Sequence, residues 1–150
     1  MTEKDTPNQA ESTGPHRVEL GQWVELAPYE KLLQMKIISA ADGQAHLTMP
    51  FLQQFAQGAG LMHGGALISL ADTAMAMAVK TRLSEGTRFG TRELQVKFLR
   101  PVLAGVVEAN ARVVSHRGRD LEVSIDIIGE DGEPVFAAQG LFRVARTQTG

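Results

Sequence analysis

The sequence has no cysteine, which excludes disulfides, thiol nucleophiles and thiolate zinc sites and fits an intracellular chain. It also lacks an excess of positive charge. Glu3, Asp5 and Glu11 outweigh Lys4 near the start. Taking these from the chain's 15 basic and 17 acidic side chains leaves fourteen of each over residues 17–150. A near-neutral body argues against a general nucleic-acid or anionic-membrane surface, because both need a positive field. No basic start precedes an apolar segment, and the longest apolar stretch is Ala-rich and broken by Ser69, Asp72 and Thr73. The expectation is a cytoplasmic protein that touches neither membrane nor nucleic acid.

Other chemistries fail for want of a pattern. His16, His46, His63 and His116 have no metal-ligand spacing, so no metal site is expected. A GxSxG nucleophile turn is absent. Gly58, Gly60 and His63 approach a dinucleotide fingerprint, but the third glycine is replaced and no βαβ unit surrounds it.

What is present suffices for one domain, with 43% apolar residues in 150. Residues 1–16 hold no Leu, Ile, Val or aromatic residue and are expected to form a loose tail, leaving 17–150 as the single domain. Pro28 suits the first turn of a short helix over 27–33. Two strands, 35–40 and 44–49, meet at the Asp42-Gly43 turn. After a loop over 51–60, a helix is predicted over about 64–81.

From Thr91 the apolar period becomes two. Leu94, Val96 and Phe98 form one alternating set, Val107, Ala109, Ala111 and Val113 a second, and Leu121, Val123, Ile125 and Ile127 a third. A fourth strand covers about 134–144, and Pro101-Gly105, Arg117-Gly118 and Asp131-Gly132 supply the turns. One long helix followed by hairpin-linked strands gives an α+β class, an antiparallel sheet curled around a central helix. Its open strand edge suggests pairing between subunits.

Eleven of the sixteen residues from Gly64 to Val79 are apolar, too many for a helix with half its circumference in water. At 100° per residue Ser69, Asp72 and Thr73 share one arc of this helix. An acid expected to be buried there needs hydrogen-bond partners, as a structural residue, or a task such as general base or nucleophile. Gly64 and Gly65 can bring backbone N–H groups to a developing negative charge at the helix start. The same two glycines also serve as a plain loop-to-helix transition. His63 is either a packed loop residue or a group shaping the site.

His63-Gly64-Gly65 with Leu70-Ala71-Asp72-Thr73-Ala74, then Thr91-Arg92-Glu93-Leu94, Phe98-Leu99-Arg100-Pro101 and Gly118-Arg119 occur in a set order over most of residues 30–145. In this the chain resembles the hotdog-fold acyl-CoA thioesterases of the phenylacetic-acid-pathway (PaaI-like) type. The resemblance implies hydrolysis of an acyl- or aryl-acyl-CoA thioester, with Asp72 attacking the carbonyl or activating water. By the same likeness the Gly64 N–H polarises that carbonyl, with His63 beside it in the motif. Gln57, six residues before His63, stands where such proteins carry Asn and a related 4-hydroxybenzoyl-CoA group carries Gln. Thr91 lies near a position where they place a hydroxyl beside the water.

Gly65, Arg100, Arg117, Gly118 and Arg119 are the implied substrate contacts, the arginines serving the phosphates of coenzyme A. No cofactor is implied, since coenzyme A is part of the substrate. In such enzymes the site lies between subunits of a dimer or tetramer, so a monomer is expected to be inactive. Two other classes keep the same fold, an acyl-CoA binding or sensing module and a hydratase or dehydratase.

Overall fold

The computed structural model describes residues 14–147. Most of the expected tail lies outside them, and Gly14, Pro15 and His16, its described part, are exposed. Helix α1 (Pro28–Leu32) leads to strands β1 (Lys36–Ala41) and β2 (Gln44–Pro50). A single 3-10 turn (Gln53–Phe55) precedes helix α2 (Gly64–Lys80), which is followed by β3 (Phe89–Phe98), β4 (Val106–Arg117), β5 (Asp120–Ile128) and β6 (Pro134–Val144). The six strands form one sheet in the order β1-β2-β4-β5-β6-β3, every neighbouring pair antiparallel. This is the hotdog arrangement, a sheet rolled around one long helix.

The first hairpin follows from its turn. Asp42 and Gly43 both have positive φ, 53° and 77°, as a two-residue primed turn requires. The hairpin tip is fastened to the far end of α2, where Gly43 N–H donates to Thr81 Oγ1 at 2.7 Å. Residues 51–60 are less plain a loop than the sequence suggests, because the 3-10 turn buries Phe55.

Periodicity misleads about β3. Consecutive hairpins were expected from β3 to β6, and β4, β5 and β6 do follow one another in that way. Strand β3 instead pairs with β6 at the far edge of the sheet. The segment after it is held across the end of the sheet and cannot turn straight back. Leu99 N–H donates to Val135 O at 2.9 Å, Met62 N–H to Val102 O at 3.1 Å and Phe51 N–H to Gly105 O at 2.8 Å. Strand β3 thereby closes the sheet around α2 and leaves its own outer edge free.

The core is the contact between the inner sheet face and α2. Leu70, Ala71, Ala74, Met75, Ala78 and Val79 of the helix are wholly or almost wholly buried. They meet Leu47, Met49, Val107, Val123, Ile125, Ile127, Phe136 and Phe142 of the strands. Each fully buried Leu, Ile, Val or Phe contributes about 1.5–3 kcal/mol. Gly140 of β6 lets the helix come close, because a Cβ there would lie 2.9 Å from Met75 Sδ and 3.2 Å from Leu94 Cδ2.

One irregularity positions the site. In the β3–β6 ladder Thr91 faces Phe142 and Glu93 faces Leu141, so Arg92 is an extra residue, a β-bulge. Ahead of the bulge Phe89 and Thr91 face the helix; beyond it Leu94 and Val96 do. Unbroken alternation from Leu94 would have turned Thr91 outward.

Candidate active site

Asp72 is expected to be buried, and here the structure corrects the sequence reading: the residue is only partly buried. Most of the circumference of α2, Leu67, Leu70, Ala71, Ala74, Met75, Ala78 and Val79 included, is buried, and the Ser69-Asp72-Thr73 arc opens on a depression of about 360 Å³. Tyr29 and Glu30 of α1 border it on one side, Thr91 and Leu94 of β3 on the other. Thr91 Oγ1 donates to Asp72 Oδ1 at 2.6 Å. A hydroxyl on a carboxylate is a strong, orienting bond. Asp72 Oδ2 has no hydrogen-bond partner among the described residues, and Asp72 is part of the depression's lining.

The helix start is ordered by His63, whose Nδ1 accepts from Gly65 N–H at 2.8 Å. An accepting Nδ1 carries no proton, so the ring proton sits on Nε2. Gly65 N–H is thus engaged by His63. Gly64 N–H, at the first helical position, has no partner among the described residues, as expected for a first-turn donor. The two glycines also have a packing reason that the sequence hides. A Cβ on Gly64 would lie 3.1 Å from the Phe98 ring, and one on Gly65 would lie 2.9 Å from His63 Nδ1.

Alpha1 is tied to this region. Ser69 Oγ donates to Gly65 O at 2.8 Å, so the Tyr29 hydroxyl, also 2.8 Å from Ser69 Oγ, is the donor of that pair. At the other end of the depression Lys80 Nζ donates to Trp23 O at 2.9 Å and lies 4.8 Å above the Trp23 ring, while Trp23 Nε1 donates back to Lys80 O. Burial pulls the Lys80 ammonium below its ordinary pKa, partly opposed by the negative charge of Glu30. Of these lining groups, only Ser69 was legible in the sequence, from its place on the polar arc; nothing local marks Tyr29, Glu30 or Lys80.

The remaining residues singled out in the sequence are dispersed. Gln57 lies in a separate depression with Phe51, Gln53, Gly58, Gly60 and Leu103, its amide oxygen accepting from Ala59 N–H. Arg100 is exposed and 3.7 Å from Glu133. Arg117 ends β4 on the surface, Gly118 makes the turn at φ 59°, and Arg119 Nε donates to Val144 O at 2.9 Å. Gly64 and Asp72 are eight residues apart on one helix, which at 1.5 Å per residue separates them by about 12 Å. A single chain therefore cannot bring both to one carbonyl. Among the described residues no group of three or more His, Cys, Asp or Glu is placed to hold a metal ion.

Comparison with known proteins decides the family. The thioesterase superfamily profile matches residues 59–136, from the loop before His63 through α2 to β6. The chain belongs to the thioesterase superfamily. Its relatives in that superfamily include the acyl-coenzyme A thioesterase PaaI of Escherichia coli, 35% identical over 122 residues that cover 80% of this chain and 85% of that protein. The structure of the E. coli PaaI protein from the phenylacetic acid degradation operon superposes with a TM-score of 0.73 at 30% identity, covering 80% of this chain and 86% of that one. The conserved protein PA5202 of Pseudomonas aeruginosa superposes with a TM-score of 0.79 at 28% identity, covering 84% and 100%. The chain is a thioester hydrolase of the PaaI-like hotdog type. No helix among the described residues is long and apolar enough to cross a membrane.

Proposed function

We propose that this thioesterase hydrolyses acyl-coenzyme A at sites shared by two copies of the chain, with Asp72 of one copy facing Gly64 and Gln57 of the other. The carrying observation is a carboxylate held by Thr91 at 2.6 Å beside an open depression, about 12 Å along its own helix from the free Gly64 N–H. A reacting carbonyl needs its nucleophile and its oxyanion donor each within about 3 Å, so the donor comes from a second subunit. No cofactor enters, since the reaction needs only water and a base.

In the base route Asp72 Oδ2 takes a proton from water as the water oxygen attacks the thioester carbon. The carbonyl oxygen becomes an oxyanion on the Gly64 N–H. Its collapse breaks the C–S bond, and the proton passes from Asp72 to the leaving thiolate. In the nucleophile route Oδ2 attacks directly, and water then hydrolyses the mixed anhydride. Both routes use the same free oxygen. A single turnover in ¹⁸O-water with enzyme in excess separates them, because water attack on the aspartyl carbon of the anhydride labels Asp72, whereas the base route labels only the released acid.

The test of the function is thiol release from a panel of short, medium, long and aromatic acyl-CoAs. Asp72→Ala and Asp72→Asn should each lower turnover at least about 10²-fold, the scale of losing a main acid-base group. Folded variants with unchanged rates would remove Asp72 from the mechanism. Tight acyl-CoA binding by the wild type without thiol release would make the protein a binding module instead.

A further inference from the structure

A second feature lies on the opposite face of the sheet from Asp72. Arg88, Arg92, Arg119 and Arg143 line one depression of about 380 Å³, together with Phe89, Gly90 and the end of β6 at Val144 and Ala145. Among the described residues one carboxylate forms an ion pair with this cluster. Asp120 Oδ1 and Oδ2 accept from Arg143 Nε at 2.7 Å and Nη2 at 3.2 Å. The Arg143 hydrogen bond holds the Asp120 carboxyl below its ordinary pKa, with further help from the charges of Arg119 and Arg92. Arg88, Arg92 and Arg119 have no carboxylate within ion-pair distance among the described residues. The nearby acids Glu93 and Glu122 line the adjoining depression. Three guanidinium groups thus share one concave place with no ion-pair partner of their own among the described residues.

The cluster is also built into the fold. Arg88 O accepts from Ala145 N–H at 2.7 Å and Arg119 O from Val144 N–H at 2.8 Å. Arg119 Nε donates to Val144 O, so two of the arginines grip the end of β6 by their main chains. Arg92 reaches the depression because it is the bulge residue. Like charges held together without a partner cost stability, so such an arrangement calls for an anion.

We propose that this depression is a binding site for a phosphate ester. Planar guanidinium groups suit phosphate oxygens through paired N–H donors, and three unpaired ones match a dianion better than a single carboxylate. Because the backbone positions are fixed, little ordering of the main chain opposes binding. The site stands apart from the catalytic reading, for it is tested by binding and not by turnover. The phosphate has two possible carriers, the 3′-phosphate of coenzyme A or a separate phosphorylated ligand.

The experiment is calorimetric titration of the whole protein with inorganic pyrophosphate, then with coenzyme A and dephospho-coenzyme A. Wild type is compared with the Arg88→Gln/Arg92→Gln double variant; among the described residues neither arginine side chain makes a hydrogen bond, unlike those of Arg119 and Arg143. Pyrophosphate should bind wild type and lose at least ten-fold in affinity in the double variant. Asp120→Asn, which leaves Arg143 uncompensated, should tighten it. If removal of the 3′-phosphate from coenzyme A weakens binding to wild type but not to the double variant, the substrate is the carrier. If the two coenzyme forms bind alike while pyrophosphate still senses the arginines, the carrier is a separate ligand. Pyrophosphate that fails to bind, or that binds wild type and double variant equally, overturns the proposal whatever the protein's activity on thioesters.

Discussion

Replacing Gly64 by proline removes one hydrogen atom from the proposed oxyanion site and little else. Gly64 is the first residue of α2, where proline is well tolerated because the N–H there has no helical partner. The preceding residue, His63, has φ −60° and ψ 131°, the extended conformation that proline demands of its neighbour. The added carbons must displace the Phe98 ring, which already stands 3.1 Å from a Cβ at this position, but that ring is largely exposed and can swing away. Losing a single oxyanion donor lowers turnover by about 10²–10³-fold. The assay is thiol release under saturating acyl-CoA, with circular dichroism and thermal melting to show an intact fold.

Mixing the two defects locates the site. Gly64→Pro and Asp72→Ala protomers, each inactive alone, are co-refolded. In a two-fold dimer with shared sites, a mixed pair has one site carrying both defects and one carrying neither, so random mixing should restore about a quarter of wild-type activity. No recovery despite formation of mixed dimers would refute the shared site. A Gly64→Pro rate within two-fold of wild type would refute the role of that N–H.

Three further outcomes are expected. Thr91→Val keeps the side-chain shape and deletes the donor to Asp72; a hydrogen bond to a charged group is worth about 1.5–3 kcal/mol, so kcat should fall about ten-fold or more with KM nearly unchanged. Gly140→Ala presses a methyl against Met75 and Leu94 and should cost about 1–3 kcal/mol in urea denaturation, whereas wild-type stability would disprove the close packing of α2 on β6. Asp120, held by Arg143 below its ordinary value of 3.8, should contribute stability above that pH and lose it as the pH falls through the lower folded value. Acid unfolding followed by fluorescence should therefore be flatter in that range for Arg143→Gln.

The layers of the fold were legible because their periods differ. Leu121, Val123, Ile125 and Ile127 can face one way only in a strand, and the Ala-rich run of α2 can be covered only by a sheet. Partner choice was not legible, because the alternation in β3 is the same whether it pairs with β4 or β6. Nor was the exposure of Asp72, which depends on how far the sheet wraps and not on the helix sequence. Helical phase alone placed Ser69, Asp72 and Thr73 together, but it said nothing of the loops that bring Tyr29 and Trp23 against that face. The arginine cluster escaped for a similar reason. Arg88, Arg92, Arg119 and Arg143 are scattered over 56 residues of sequence and meet only through strand pairing.

The extra residue in β3 sets its two halves out of phase, and this gives a deletion a meaning that no substitution has. Removing Arg92 and letting the ladder re-form would leave Thr91, Glu93 and Leu94 in unbroken alternation, with Phe89, Thr91, Leu94 and Val96 all still facing the helix. The acid would keep its hydroxyl and the interior its wall, and the loss would be the bulge and the arginine it carries. What the fold holds fixed here is the facing of the two sets, so the strand tolerates shortening at the bulge, whereas one residue lost elsewhere would turn part of it over.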